Sequence, residues 1–247
     1  MGVSLNQSNT AIIILAAGKG TRMNSDLPKV LHKVNDKSML NIIIETSEKL
    51  NPNKIIVVVG YKKKLVIDSI TNPNIKFVNQ DEQLGTAHAI KQCLTELKNF
   101  EGKVLILSGD VPLIKKETLE KFLNFHIIKK SKGTLISNLF NDPSGYGRII
   151  KNKSGQLLNI IEDKDANLNQ KKIKEINAGI YIFDSKVLIE KIKLIKNENA
   201  QNEYYLPDIF NFINVEEKYI YQISDNTQIM GVNTLDHLKN VEKILNA

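Results

Sequence analysis

The sequence predicts an α/β fold with a mostly parallel sheet, and three observations carry that expectation. Apolar runs that end at a loop alternate with amphipathic helical stripes. The alternation repeats within the first 112 residues. Shorter strands separated by turns then follow before helices resume. In order, Ala11 to Ala16 is a short apolar run ending at glycine, which reads as a buried strand entering a loop. "SMLNIIIETSEKLN" puts Leu40, Ile43, Ile44, Ser47 and Leu50 on one helical stripe, and "KIIVVVG" is again a buried strand. The unit recurs as strand "IKFVNQ", helix "GTAHAIKQCLTELKNF" with Ala87, Ile90, Leu94 and Leu97 facing inward, and strand "KVLILSGD". Such alternation argues for a parallel sheet covered by helices on both faces.

Past "ETLEKFLNFHIIKK" the rhythm changes. "GTLISNLF", "GRIIKN", "GQLLNIIE" and "INAGIYIFD" read as strands separated by "NDPSGYG" and "KNKSG", and helices resume near Lys186 and Tyr205. With no linker, repeat or low-complexity segment, the expectation is one domain over 1–247. Its first part is a nucleotide-type half of about 11–112, followed by a second half of about 113–233 and a C-terminal helix over 234–247. Ligands collect at the carboxyl ends of parallel strands, so the loops after Leu15, Asn79, Ser108 and Ile176 are where chemistry is expected.

Composition narrows the class. A chain of 247 residues with 42% hydrophobic content can bury a full core, which argues against disorder or a fibrous fold. Cys93 is the single cysteine, so an intrachain disulfide and a cysteine-based zinc site are excluded, and a reducing, cytoplasmic compartment is expected. The start "MGVSLNQSNT" lacks a basic region backed by an apolar core, and no segment approaches the roughly 18 to 20 apolar residues of a membrane span. The net charge of +7 invites a nucleic-acid partner. The lysines, however, are interspersed with Asn, Glu and Ile, and the longest basic run is residues 62–64, so a solvated surface explains them and no nucleic-acid partner is expected.

The first loop is the richest stretch. In "ILAAGKGTRMNSDLPKVLH", Gly18 and Gly20 permit positive φ and let amides approach a ligand, while Lys19, Arg22 and Lys29 add charge, so a phosphate-rich partner is natural. "GKGTR" lacks the ending of a P-loop, and the third glycine of a dinucleotide fingerprint would fall at Met23. A glycine-rich turn with incidental cations remains the alternative.

These residues resemble the signature of the sugar-nucleotide pyrophosphorylases, L-A-A-G-x-G-T-R-M followed by P-K. The form here is similar to the uridylyltransferase half of the bacterial bifunctional enzymes that make UDP-N-acetylglucosamine. "QDEQLGTAHAI", "SGDVPLI", "DPSGYGRI", "IEDKDA", "EINAGIYIFD", "NAQNEYYLPDI" and "GVNT" follow in the same order, from about Ala11 to the end of the chain. The resemblance implies a Rossmann-like, doubly wound sheet of the GT-A-like nucleotidyltransferase kind, with a smaller β-rich sugar-binding subregion. It implies that the backbone of Leu15, Ala16, Ala17 and Gly18, with Gly85 and Thr86, holds the nucleotide and that Gln80 meets the base, which an amide suits because it donates and accepts. Arg22 and Lys29 would be the catalytic cations, and Gly147, Glu162 and Asn177 the sugar contacts.

Asp110 and Asn233 would be the ligands of Mg²⁺, an ion that takes hard oxygens and needs only one or two from a protein. The alternative for Asp110 is an N-cap ahead of a helix starting at Pro112. His32 and His88 are expected to serve structural hydrogen bonds, and Cys93 to be a small core residue.

The implied reaction joins UTP and N-acetylglucosamine 1-phosphate into UDP-N-acetylglucosamine and pyrophosphate, in a monomer or weak homo-oligomer. Two alternatives stand beside it: uridylyl or thymidylyl transfer to another hexose 1-phosphate, and a non-catalytic module that senses the nucleotide sugar. Ala178, Ser108 and Asp163 depart from the pattern, and they bear on the sugar more than on the nucleotide. The bifunctional members continue into a left-handed β-helix of hexapeptide repeats that transfers acetyl groups and trimerises. None of those repeats occurs here, so neither property is expected of this sequence.

Overall fold

The computed structural model describes residues 9–246, so most of the N-terminal stretch "MGVSLNQSNT" (residues 1–8) and the last position of the expected terminal helix, 247, lie outside the described residues. In chain order the elements are β1 (Thr10–Ala16), β2 (Lys33–Val34), β3 (Lys37–Ser38), α1 (Met39–Glu48), β4 (Lys54–Val59), α2 (Lys63–Asp68), β5 (Ile75–Asn79), α3 (Thr86–Gln92), α4 (Leu94–Leu97) and β6 (Lys103–Ser108). They continue with α5 (Lys116–Ile128), β7 (Gly133–Leu139), β8 (Arg148–Lys151), β9 (Leu157–Ile161), β10 (Glu175–Asp184), α6 (Ser185–Lys191), β11 (Lys218–Gln222) and α7 (Leu235–Leu245). The result is a mixed α/β fold with a mostly parallel central sheet. No helix among the described residues is long and apolar enough to cross a membrane.

The described residues separate into two compact units, the first of residues 9–83, 106–120 and 227–246, the second of 84–105 and 121–226. In the first, β1 pairs in parallel with β4 from Ala11↔Lys54 to Ala16↔Val59, and β4 pairs in parallel with β5. Ile12, Ile13, Ile14, Ile56, Val57 and Val58 are fully buried, as strands covered on both faces require. The expected α1 stripe is in place: Leu40, Ile43, Ile44, Ser47 and Leu50 are all buried, and the Ser38 hydroxyl caps the helix by accepting from the Asn41 amide at 3.2 Å. A second core of this unit packs Met23, from the glycine loop, with Val34, Met39, Leu113, Val232 and Val241. The short helix α2 begins within the 62–64 lysine run, with Lys62 at its N-cap, and has no sequence pattern long enough to have announced it.

In the second unit β7 pairs antiparallel with β10 and parallel with β11, while β8 pairs antiparallel with β9 and, at one residue, with β10. The helix expected over "GTAHAIKQCLTELKNF" is broken in two at Cys93, whose amide bonds back three residues to Ile90 at 2.9 Å and tightens the turn. Leu97 is still buried, but Leu94 is only half-buried. Cys93 itself is fully buried, as expected of a core residue, and burial pushes its thiol up to about 12. The helix expected near Tyr205 is a tighter 3₁₀ turn over Leu206–Phe212, with Pro207 at its start withholding an amide hydrogen.

Candidate active site

In the first unit four residues far apart in sequence converge. The ammonium of Lys29 pairs with Asp110 Oδ2 and donates to Asn233 Oδ1 at 3.1 Å, and Arg22 donates to the same Asn233 oxygen at 2.9 Å. The second Asp110 oxygen accepts from the Ser108 hydroxyl at 2.7 Å. Burial pushes the Asp110 carboxyl upward; the adjacent Lys29 charge and hydrogen bond, with Ser108, outweigh that and hold it below the usual carboxylate range. Asp110 is not an N-cap: the following helix begins only at Lys116, and both carboxylate oxygens are engaged elsewhere.

Local structure explains why the loop can present these groups. β1 stops at Ala16, and the carbonyls of Leu15 and Ala17 are taken by the amides of Gly109 and Tyr61, which pins the loop's entry between the ends of neighbouring segments. Gly20 adopts φ +67°, and a Cβ there would collide with the Cβ of Lys29. Gly18 does not use the positive φ its residue type allows; its Cβ position faces open space instead, with nothing within 4 Å. Lys19 stands 5.5 Å from the centre of the Tyr61 ring.

Two oxygens, Asp110 Oδ2 and Asn233 Oδ1, thus already meet on one positive charge, a donor set that fits a hard divalent cation. Among the described residues no three His, Cys, Asp or Glu side chains gather as an all-protein metal cage. Gln80 is buried, its amide bonded to Val59 and its carbonyl to Gln83 at 2.7 and 2.9 Å.

In the second unit Gly85 precedes α3 at φ +106°, where a Cβ would lie 2.6 Å from the Tyr204 carbonyl oxygen. The Thr86 hydroxyl accepts from the Leu206 amide at 2.9 Å, fastening this turn to the segment at 204–206. The three expected sugar residues do come together: the Asn177 amide donates to the Gly147 carbonyl at 2.8 Å, and a Cβ on Gly147 would sit 3.1 Å from Glu162 Oε1. The Asn177 side chain is turned inward, donating to the Tyr181 hydroxyl at 2.7 Å and accepting from the Gly179 amide at 3.2 Å.

Burial raises the Glu162 carboxyl to about 7, with Asp208, Asp165 and Asp163 adding to the shift and Arg148 opposing it. Asp208 is itself raised to about 6, by burial and Asp165. Arg148 is buried and pairs with Asp163 at 2.9 Å.

Sequence reading missed Ser108 and Asp163 as partners; both had drawn notice only as departures from a pattern. Asp208 gave no signal, because a lone Asp in "YYLPDI" reads equally well as a helix-start residue. His88 bonds to Gln92 at 3.0 Å within its own helix, as a structural histidine would. His32 meets the Leu27 backbone, while its Nε2 is buried without a partner.

Comparison with known proteins adds to this geometry. The nucleotidyl transferase family profile matches residues 11–229. The chain is 43% identical over 235 residues to the Bifunctional protein GlmU of Streptococcus pyogenes serotype M3 and to that of serotype M28, an alignment covering 94% of this chain and 51% of each relative. It therefore spans about half the length of the curated relatives it matches. A UDP-glucose pyrophosphorylase solved in complex with UDP-glucose superposes with a TM-score of 0.77 at 17% identity, over 96% of this chain and 98% of that one, a likeness of fold. A family match over most of the chain and a shared fold lead to one conclusion: the chain belongs to the nucleotidyl transferase family.

Proposed function

We propose that this chain transfers the uridylyl group of UTP to N-acetylglucosamine 1-phosphate, giving UDP-N-acetylglucosamine and pyrophosphate with the help of Mg²⁺. The observation that carries the reading is the convergence of Arg22 and Lys29 on Asp110 and Asn233. Two cations and two oxygen ligands at one point are what a polyphosphate with a divalent ion calls for. The choice of base and sugar draws on the ordered motifs shared with the uridylyltransferases and on the 43% identity to the GlmU proteins.

The sugar phosphate is largely a dianion near neutral pH, its second pKa being roughly 6, so its oxygen attacks the α-phosphorus without a general base. As that bond forms, the bond from the α-phosphorus to the bridging oxygen breaks, and pyrophosphate leaves with the electron pair. Arg22 and Lys29 offset the charge on the transferring and leaving phosphates, and the backbone of Leu15 to Gly18 would hold the nucleotide. Asp110 and Asn233 would hold Mg²⁺, whose contribution is charge neutralisation on the triphosphate.

In the second unit, Gly85 and Thr86 would flank the nucleotide. Gly147, Glu162 and Asn177 would meet the sugar, Glu162 as a hydrogen-bond donor while it carries its proton and Asn177 chiefly by shaping the strand. The product class is a cell-wall precursor, and the cytoplasm is the compartment proposed for its synthesis.

The test is pyrophosphate release over a panel of nucleoside triphosphates and sugar 1-phosphates, with and without Mg²⁺. Release is expected with UTP and N-acetylglucosamine 1-phosphate only when Mg²⁺ is present. No release with any pair would refute the enzymatic reading, and preference for glucose 1-phosphate would refute the sugar.

A further inference from the structure

Lys29 is placed as a cation between the two oxygens assigned to the metal. Its ammonium pairs with Asp110 Oδ2 and lies 3.1 Å from Asn233 Oδ1, and the pair is largely withdrawn from solvent, with side-chain exposures of 17% for Lys29 and 13% for Asp110. Arg22 takes the same Asn233 oxygen at 2.9 Å, so both potential ligand oxygens are already occupied by the chain's own cations, and the Asp110 charge is offset by Lys29. A divalent ion arriving alone meets two bonded oxygens and two positive charges, which opposes its entry. A triphosphate supplies other partners for Lys29 and Arg22, and those partners are stronger acceptors than a carboxamide.

We propose that Lys29 is an internal stand-in for the divalent cation, so that the metal enters only together with the polyphosphate that draws the lysine away. This rests on the reading of Asp110 and Asn233 as the metal ligands. The consequence is obligate coupling: metal and nucleotide each raise the other's affinity, because linkage is reciprocal. It also gives Lys29 two duties in sequence, first guarding the ligand pair and then neutralising phosphate. If Lys29 holds the site about nine-tenths of the time, its removal strengthens nucleotide-free metal binding about tenfold.

The experiment titrates Mn²⁺ into nucleotide-free protein and follows the free-ion electron paramagnetic resonance signal. Wild type is compared with Lys29→Met and Lys19→Met, and with Asp110→Asn alone and combined with Lys29→Met. Lys29→Gln replaces Lys29→Met if the latter fails to fold by circular dichroism. Expected is weak Mn²⁺ binding by wild type, about tenfold tighter binding by Lys29→Met, no gain in Lys19→Met, and loss of the gain when Asp110→Asn is added.

Equal binding by wild type and Lys29→Met, weakened in both by Asp110→Asn, would overturn the stand-in role while leaving the metal ligands assigned. An equal gain in Lys19→Met would overturn it as well, tracing the effect to net charge. Mn²⁺ binding indifferent to Asp110→Asn in every background would overturn both the inference and the ligand assignment beneath it.

Discussion

The hydroxyl of Ser108 donates to Asp110 Oδ1 at 2.7 Å, while the opposite oxygen of the same carboxylate pairs with Lys29. Asp110 is therefore held from both sides, and its orientation does not depend on any ligand. Ser108→Ala removes one of the two holds. We expect it to cost about 1 kcal/mol of stability, read as a lower urea midpoint with an unchanged slope, and a severalfold drop in pyrophosphate release.

Lys29→Ala and Asp110→Ala are expected to fold, since the packing of β1, β4 and β5 does not include them. Each should lose about two decades in turnover, the usual cost of a charge contact in a closed site. Near-normal rates in both, with circular dichroism like wild type, would remove them from the machinery.

The two loop glycines should respond differently. Gly20→Ala must hold alanine at φ +67° and push Lys29 aside, and about 1 to 2 kcal/mol of stability is expected to go, together with turnover. Gly18→Ala has room for its methyl and no positive φ, so its melting temperature should match wild type. If the Gly18 amide approaches a phosphate, the methyl instead raises the KM for UTP, a change that melting curves would not register.

Glu162 supplies the pH dependence. Its folded carboxyl, raised to about 7 by burial and neighbouring carboxylates, lies above its unfolded value near 4.5, so the native state binds the extra proton between those limits. By linkage, stability then falls as pH rises through that window and levels off above about 7. Glu162→Gln should flatten this slope and stabilise the protein at pH 8 relative to wild type, by on the order of 2 kcal/mol. Urea unfolding at pH 5, 6, 7 and 8 measures it, and parallel curves for the two proteins would contradict the assignment.

Asp163→Asn leaves the buried Arg148 guanidinium without its counter-charge. Because Asp163 is itself 31% exposed, the cost should fall below that of a fully buried pair, at about 2 kcal/mol. Chemical denaturation tests this, and Asp163→Glu should restore part of the loss.

Most of the architecture was legible because apolar periodicity follows burial. The runs at Ala11–Ala16 and Lys54–Val59 are continuous since those strands are covered on both faces, and the stripe on α1 marks the side it buries. What periodicity does not report is hydrogen bonding at a single residue, so the break at Cys93 and the 3₁₀ turn after Tyr205 were not visible. The candidate site divides the same way. Arg22, Lys29, Asp110 and Asn233 stood out through motif order, and Gly147, Glu162 and Asn177 with them. Ser108 and Asp163 looked like irregularities until their partners, Asp110 and Arg148, came into view. The Arg148–Asp163 pair joins separate segments and carries no local sequence mark, while Ser108 lies only two residues before Asp110, a spacing that does not by itself announce a hydrogen bond.

The hydrogen bond from Arg22 to Asn233 spans 211 residues of chain. At a ribosomal pace of about 5 to 20 residues per second, roughly 10 to 40 seconds separate the synthesis of its two ends. Through that interval the glycine loop has neither Asn233 nor the Val232 and Val241 side chains on which Met23 packs. The glycine loop is therefore synthesised long before the partners that hold it in the folded chain, and its folded shape waits on the segment that carries Val232, Asn233 and Val241.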